Sequence, residues 1–128
     1  MFWDHVAGVY DLFANVWNKR THKALRAYVE TQISPTDEVL ECACGTGLLT
    51  EGIAAQCKAL VATDFSEKML EKAKKKCAGK GNVTFKRENI LQIDEPDGRF
   101  DAVVAANVIH LLDEPLRALA ELDRVCRR

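Results

Sequence analysis

The sequence predicts a doubly wound α/β domain, in which helices cover both faces of a parallel sheet. From residue 37 onward, short apolar segments alternate with amphipathic segments of helical period. The first apolar segment runs into a bend that contains Gly45 and Gly47, and the second ends at Asp64. Because repeated strand, helix, strand units require parallel strands, the bend and the aspartate are expected at the same edge of the sheet, where ligands bind.

Composition limits the class of protein. The 128 residues have the length of one domain, and 48% hydrophobic and 29% charged residues are typical of a globular protein, which excludes disordered and collagen-like chains. A formal net charge of -1 argues against a nucleic-acid-binding protein. No apolar run approaches the roughly 18 residues that cross a bilayer, and the N-terminus lacks the layout of a secretory signal. We therefore predict a cytoplasmic protein without a membrane span.

Two helices are predicted before the first strand. Residues 2–16 carry apolar side chains at helical spacing, and residues 19–33 form a second helix that Ser34 and Pro35 end. Residues 1–34 are thus expected to form a helical lid in front of a core at 35–128. From the residues alone, the two helices either lie over a ligand cleft or cover the sheet.

The core elements follow in order. Strands are predicted at 38–42, 60–63, 83–87 and 100–106, and helices at 48–57 and 66–78. A further helix begins near Pro115, which suits a first turn, with Asp113 as the capping residue.

The bend after the first strand has the features of a binding loop. Glu41 brings a carboxylate to the end of the strand, and Gly45 and Gly47 allow a sharp turn and close approach of a ligand. A dinucleotide-binding loop would have a third glycine where this chain has Thr50. In addition, Glu41 would repel a pyrophosphate but suits an ammonium or sulfonium group. The pattern favours a cationic nucleoside over NAD.

Two further positions suit a nucleoside. Asp64 lies 17 residues after Gly47, where a carboxylate can accept hydrogen bonds from a ribose diol. The alternative is that Asp64 or Ser66 caps the next helix. After the third strand, Asn89 and Ile90 can contact the edge of an adenine, although Asn89 is equally suited to a turn.

The cysteines predict no disulfide and no metal site. Their number is odd and their spacings are unrelated, at Cys42, Cys44, Cys57, Cys77 and Cys126. Cys42 and Cys44 are expected to be small packing residues in a tight turn. The alternative is a metal-binding or reactive pair beside a helix N-terminus.

Three segments together resemble the class I S-adenosylmethionine-dependent methyltransferases, in particular the ubiquinone/menaquinone-biosynthesis type. They are 39–49, 64–70 and 100–110, and residues 6–11 resemble the N-terminal helix of that group. The resemblance implies a Rossmann-like sheet whose first four strands have the order 3-2-1-4. It also implies S-adenosyl-L-methionine as cofactor and S-adenosyl-L-homocysteine as product.

The resemblance assigns functional residues. Those expected at the cofactor are Tyr10, Glu41, Ala43, Gly45, Gly47, Asp64, Phe65, Met69, Asn89, Ile90 and Asn107. Glu41 and the two glycines would surround the methionine part, whereas Asp64 and Phe65 would hold the ribose and adenine. Tyr10 either closes over the cofactor or fills the apolar face of its helix. The implied reaction is in-line transfer of the sulfonium methyl to a small molecule, with His110 either as the base or as a packing residue.

The chain departs from the family at two places. Ala43 stands where the family has glycine, and if this position needs a positive φ, alanine would weaken binding by about 1 kcal/mol. The family also continues past residues 124–127 with three more strands, whereas this chain stops at Arg128. We therefore expect either a truncated methyltransferase or a second chain, such as a second copy, that covers the fourth strand.

Two alternative functions and one basic surface are also considered from the sequence. The alternatives are a cofactor-binding fragment without turnover and an NAD-dependent oxidoreductase. Six lysines lie around the helix at 66–78, at positions 68, 72, 74, 75, 76 and 80. Because no aromatic residues interleave with them and Glu67 and Glu71 lie beside them, a solvated helix face is favoured over a surface for nucleic acid.

Overall fold

A computed structural model describes residues 19–105 and 112–127 of the chain. The elements in chain order are α1 (Lys19–Gln32), β1 (Glu38–Cys42), α2 (Thr50–Gln56), β2 (Ala59–Asp64), α3 (Glu67–Lys76), β3 (Val83–Arg87), β4 (Ala102–Ala105) and α4 (Pro115–Val125). The strands form one parallel sheet in the order β3-β2-β1-β4. The predicted class and strand order are therefore confirmed. In the part of the chain that the structure describes, no helix combines the length and apolarity needed to cross a membrane.

Helices cover both faces of the sheet because successive strand residues point to opposite sides. Val39 of β1 lies in a buried cluster with residues of α1, α2 and α3, among them Val29 and Ile53. Leu40, the next residue, lies in a second cluster with Leu122 of α4. The amphipathic faces of the helices thus bury the two faces of a doubly wound sheet, and α1 packs on the sheet through this contact.

Strand β4 is buried on both faces although it is an outer strand. Ala102 and Val104 belong to the cluster under α1 to α3, whereas Val103 and Ala105 belong to the cluster under α4. All four residues of the apolar strand are buried, as is common for strands of parallel sheets.

The fourth strand starts two residues later than predicted. Phe100 instead forms an isolated parallel bridge with Cys126, because the segment after α4 returns beside it. The Phe100 amide donates to the carbonyl of Val125 at 3.0 Å, and the Arg127 amide donates to the carbonyl of Phe100 at 2.6 Å. The chain's own C-terminal residues therefore cover the start of this outer strand, and residue 106 lies outside the described part.

Predicted helix boundaries differ from the structure by one or two residues at several places. Helix α2 begins at Thr50 rather than at residue 48, because the turn at 45–49 includes Gly47 with φ +91°. Ser66 is the N-cap of α3, and its hydroxyl accepts a hydrogen bond from the Met69 amide at 3.3 Å. The prediction that Asp113 caps the last helix was wrong, since the N-cap is Glu114, without a side-chain bond. The predicted helix at 2–16 lies outside the described residues, so the lid stays a prediction.

Candidate functional site

The bend between β1 and α2 is tied to the end of β2. The Cys44 amide donates to the Thr63 carbonyl at 2.9 Å, and the Gly45 amide donates to Asp64 Oδ2 at 2.9 Å. Within the bend, the Gly47 amide donates to the Cys44 carbonyl at 3.0 Å. The bend and Asp64 therefore lie together at the carboxyl edge of the sheet, where the sequence predicted a ligand site.

Alternate residues of the bend adopt the left-handed conformation. The φ angles are +55° at Ala43, +59° at Gly45 and +91° at Gly47, and Ala43 is the one non-glycine residue with positive φ in the described ranges. A left-handed L-residue costs about 1–2 kcal/mol. Position 43 therefore has the positive φ at which alanine, in place of the family's glycine, is expected to weaken binding.

The two glycines of the bend have different surroundings. A Cβ atom added to Gly45 would meet no heavy atom within 4 Å. A Cβ atom added to Gly47 would lie 3.2 Å from the Cα atom of Ala73 in α3. Open space thus lies over Gly45, whereas Gly47 allows α3 to pack closely against the bend.

Glu41, in β1 just before the bend, carries a buried carboxyl group. The residue is 3% exposed, and its Oε1 atom accepts a hydrogen bond from the Thr50 hydroxyl at 2.5 Å. Burial raises the pKa of Glu41 to about 8, the hydrogen bond from Thr50 lowers it, and the charge of Asp64 raises it further. At neutral pH the ligand-free carboxyl group is therefore mostly protonated. A cation at this place would favour its ionised form.

The structure adds Thr50 to the site. In the sequence, this position is notable only because it lacks the third glycine of a dinucleotide-binding loop. A buried carboxyl group needs a hydrogen-bond donor, but neither periodicity nor spacing indicates that the first residue of α2 supplies it. The contact appears only once the bend returns the chain to β1.

Both carboxylate oxygens of Asp64 accept hydrogen bonds from backbone amides. Oδ2 accepts from Gly45, and Oδ1 accepts from the Ser66 amide at 2.9 Å. Each carboxylate oxygen can accept a second hydrogen bond. Asp64 therefore anchors the bend and retains acceptor capacity for hydroxyl groups of a ligand.

Three large apolar side chains in the bend and in the segment after β2 are exposed. Phe65 is 63% exposed, Leu48 46% and Met69 38%. Large apolar side chains in this position suit contact with a flat or apolar ligand. Phe65 and Met69 are two of the residues that the resemblance assigned to the cofactor.

The segment after β3 forms a turn. The side-chain oxygen of Asn89 accepts from the Leu91 amide at 2.9 Å, and the Asn89 carbonyl accepts from Gln92 at 2.9 Å. Ile90 packs partly against the cluster under α4. The observed hydrogen bonds of Asn89 are therefore those of a turn residue. Contact between Asn89 and an adenine stays a prediction.

Tyr10, Asn107 and His110 lie outside the described residues, so their assignments stay predictions.

The structure does describe the cysteine pair Cys42 and Cys44. Cys42 and Cys44 are both buried, and burial raises the pKa of the Cys42 thiol to about 12 and raises that of Cys44 as well. Thiols that stay protonated at neutral pH are poor nucleophiles and poor metal ligands, which favours the packing interpretation.

Comparisons with known proteins indicate the family of the chain. Residues 39–128 match a family described as methyltransferase domain. A demethylmenaquinone methyltransferase of Clavibacter sepedonicus is 30% identical over 126 residues, which cover 97% of this chain and 51% of that protein. The ubiquinone/menaquinone biosynthesis C-methyltransferase UbiE of Bdellovibrio bacteriovorus is 33% identical, with 95% and 54% covered. The chain thus spans about half the length of these relatives.

Solved structures share the fold. A crystal structure of a methyltransferase-like protein from Bacillus halodurans superposes with a TM-score of 0.72 at 25% identity, over 85% of this chain and 46% of that one. The cyclase SpnF superposes with a TM-score of 0.77 at 22% identity, over 95% and 47%. The two relatives from Clavibacter sepedonicus and Bdellovibrio bacteriovorus are named for the ubiquinone/menaquinone-biosynthesis reactions of the type that the sequence resembles. The match over residues 39–128 shows that the chain belongs to the methyltransferase-domain family.

Proposed function

We propose that the bend between β1 and α2 binds S-adenosyl-L-methionine and that the chain acts in transfer of its methyl group to a small molecule. The observation that carries the proposal is a buried carboxyl group, Glu41, in the strand that leads into a bend with open space over Gly45. Glu41 and Gly45 would hold the methionine part, and Asp64 and Phe65 would hold the nucleoside.

The charge of the site supports a cationic ligand. The charged residue that acts on Glu41 most strongly is another carboxylate, Asp64, which raises its pKa. Ionising both carboxyl groups at the end of the sheet is unfavourable unless a positive group also binds there. An ammonium or sulfonium group near Glu41 offsets both its burial and this repulsion.

The shape and hydrogen-bonding capacity of the site support a nucleoside. Gly45 leaves room for close approach, and Asp64 retains acceptor capacity after it has bound two amides. Phe65 offers an exposed ring next to Asp64. A diol and a flat base in adjacent positions match these two residues.

When bound, the cofactor supplies an electrophilic methyl group on a sulfonium sulfur for in-line attack by the acceptor. The residues of this chain bind and orient the reactants, and His110 is our candidate for the base that removes a proton from the acceptor. Relatives named for demethylmenaquinone and, at 36% identity, for phosphatidylethanolamine support a small-molecule acceptor. Cytoplasmic location and self-association through β4 stay predictions.

Calorimetric titration of the chain with S-adenosylmethionine, S-adenosylhomocysteine and NAD tests the proposal. We expect the first two to bind and NAD not to bind. Asp64→Ala should abolish or strongly weaken binding, whereas Asp113→Ala, a change at an exposed position outside the helix cap, should not. Binding of NAD alone would overturn the proposed cofactor. Binding of S-adenosylmethionine without methyl transfer to any tested acceptor would support the proposed cofactor and contradict the proposed activity.

A further inference from the structure

Phe65 is a large apolar side chain that the fold leaves mostly in solvent. It is 63% exposed and directly follows Asp64, the residue that anchors the bend. An exposed aromatic ring ordinarily samples several rotamers, and a ligand that stacks on it must immobilise it. A neighbouring group that fixes the ring before binding would reduce this cost.

Arg87 at the end of β3 is such a neighbour. It lies opposite Asp64 in the register between β2 and β3. Its Nε atom donates a hydrogen bond to the Phe65 carbonyl at 2.9 Å, and its guanidinium carbon lies 4.9 Å from the centre of the Phe65 ring. One side chain therefore holds both the backbone and the ring of Phe65. Arginine can make both contacts because its planar guanidinium group can stack on a ring and donate hydrogen bonds at the same time.

The contact belongs to a continuous set of bonds at the edge of the sheet. The amide of Glu88, which follows Arg87, donates to the Asp64 carbonyl at 3.1 Å, and Asp64 in turn accepts from Gly45. The end of β3 thus fixes the segment from Asp64 to Phe65, which fixes the bend. Arg87 covers one face of the ring, and the high exposure of Phe65 leaves apolar surface for a ligand.

We propose that Arg87 is a positioning residue, which orients Phe65 as a wall for the adenine base. The inference rests on the proposed function, since it needs a nucleoside beside Asp64. In this arrangement Arg87 acts through Phe65 and does not itself contact the ligand. Its contribution to affinity therefore depends on the presence of the ring.

A double-mutant cycle tests this dependence. The affinity of S-adenosylhomocysteine is measured by calorimetry for the wild type, Arg87→Ala, Phe65→Ala and the double variant. We expect Arg87→Ala to weaken binding about fivefold, which corresponds to about 1 kcal/mol. Phe65→Ala should weaken it about tenfold, in the range of base stacking on an aromatic ring. The double variant should bind within about twofold of Phe65→Ala alone, because the two residues act as one unit.

A matched control exists at the other end of the sheet. The guanidinium carbon of Arg99 lies 4.8 Å from the centre of the Phe100 ring, and Arg99 also pairs with Glu38 at 3.0 Å. Arg99→Ala thus removes the same kind of contact far from the bend. We expect its affinity for S-adenosylhomocysteine to stay within about twofold of the wild type, as distant sites act independently. Urea unfolding of each ligand-free variant establishes that it is folded.

The outcomes separate the inference from the function on which it rests. If the wild type does not bind S-adenosylhomocysteine, both are overturned. If the wild type binds but Arg87→Ala binds equally well, the positioning role is overturned and the site remains. The same holds if the two single losses multiply in the double variant, since Arg87 then acts independently of Phe65.

Discussion

Thr50 donates its hydroxyl hydrogen bond to Glu41 at 2.5 Å, and both residues are buried. The bond joins the end of β1 to the first residue of α2 and so closes the bend between them. It also supplies the donor that a buried carboxyl group requires. The stability of the bend and the protonation of Glu41 are therefore linked through one hydroxyl group.

Replacing Thr50 by valine removes this donor with little change in shape. We expect Thr50→Val to lower the free energy of unfolding by about 1–3 kcal/mol, because a buried acceptor loses its partner. The loss should be larger at pH 9 than at pH 6, since the ionised carboxylate depends more on the donor. Urea denaturation measures both. Thr84→Val, at an exposed position of β3, is the control and should stay within about 0.5 kcal/mol of the wild type.

The raised pKa of Glu41 predicts how the stability of the ligand-free chain depends on pH. Burial raises this pKa from 4.5 to about 8, so the folded state binds a proton more tightly than the unfolded state. The resulting stability is fully present below pH 4.5 and is lost as the pH rises through about 8. At about 1.4 kcal/mol per pKa unit, the loss amounts to a few kcal/mol.

Glu41→Gln removes the ionisable group and should remove this part of the pH dependence. The free energy of unfolding is measured for both chains by urea denaturation at several pH values from 5 to 8. The difference between them is the relevant quantity, because every other ionisable group is common to both chains. A constant difference over this range would contradict the raised pKa.

Binding of a cationic ligand should release the proton from Glu41. A positive group next to the carboxyl favours its ionised form, so the affinity for S-adenosylmethionine should rise with pH between 6 and 8. Calorimetry at pH 7 in phosphate and in Tris should give different apparent enthalpies, because the released proton is taken up by the buffer. Equal enthalpies for the wild type would argue against a cation beside Glu41. Glu41→Gln should give equal enthalpies in any case.

The left-handed conformation of Ala43 predicts a stabilising substitution. Ala43→Gly removes a strain of about 1–2 kcal/mol at φ +55° and adds about 0.5–1 kcal/mol of backbone entropy cost. We expect a net increase of about 0.5–1 kcal/mol in the free energy of unfolding. Ala55→Gly, at an exposed position in α2, should instead lower it by about 1 kcal/mol. Effects of the same sign in both variants would mean that Ala43 is not strained.

Much of the fold could be predicted because it depends on local patterns. Strands β1 and β3 have the predicted bounds, 38–42 and 83–87. The start of α2 was misplaced because the helical pattern continues back into a turn that Gly47 imposes. The start of β4 was misplaced because Phe100 pairs with a segment 26 residues away, and no local pattern reveals that pairing.

Some residues of the candidate site could also be predicted from the sequence, and others could not. The spacing of Glu41, Gly45 and Asp64 along the chain was sufficient to predict that they meet, since the carboxyl ends of neighbouring parallel strands share one edge. Thr50 and Arg87 were not predicted as parts of the site. Their roles depend on which side chain each one contacts across the fold, and residue type alone does not indicate this.

The two glycines of the bend should respond differently to alanine. Gly47→Ala places a methyl group 3.2 Å from the Ala73 backbone at φ +91°, so we expect a loss of about 2–4 kcal/mol in the free energy of unfolding. Gly45→Ala meets no neighbour and has a φ close to that of Ala43, so its net loss should be about 0.5–1 kcal/mol once the gain in backbone entropy is included. Its methyl group would instead occupy the space proposed for the ligand, and calorimetry should give at least a roughly tenfold weaker affinity for S-adenosylhomocysteine. If Gly45→Ala bound the ligand as well as the wild type, the open space over Gly45 would not be the ligand site.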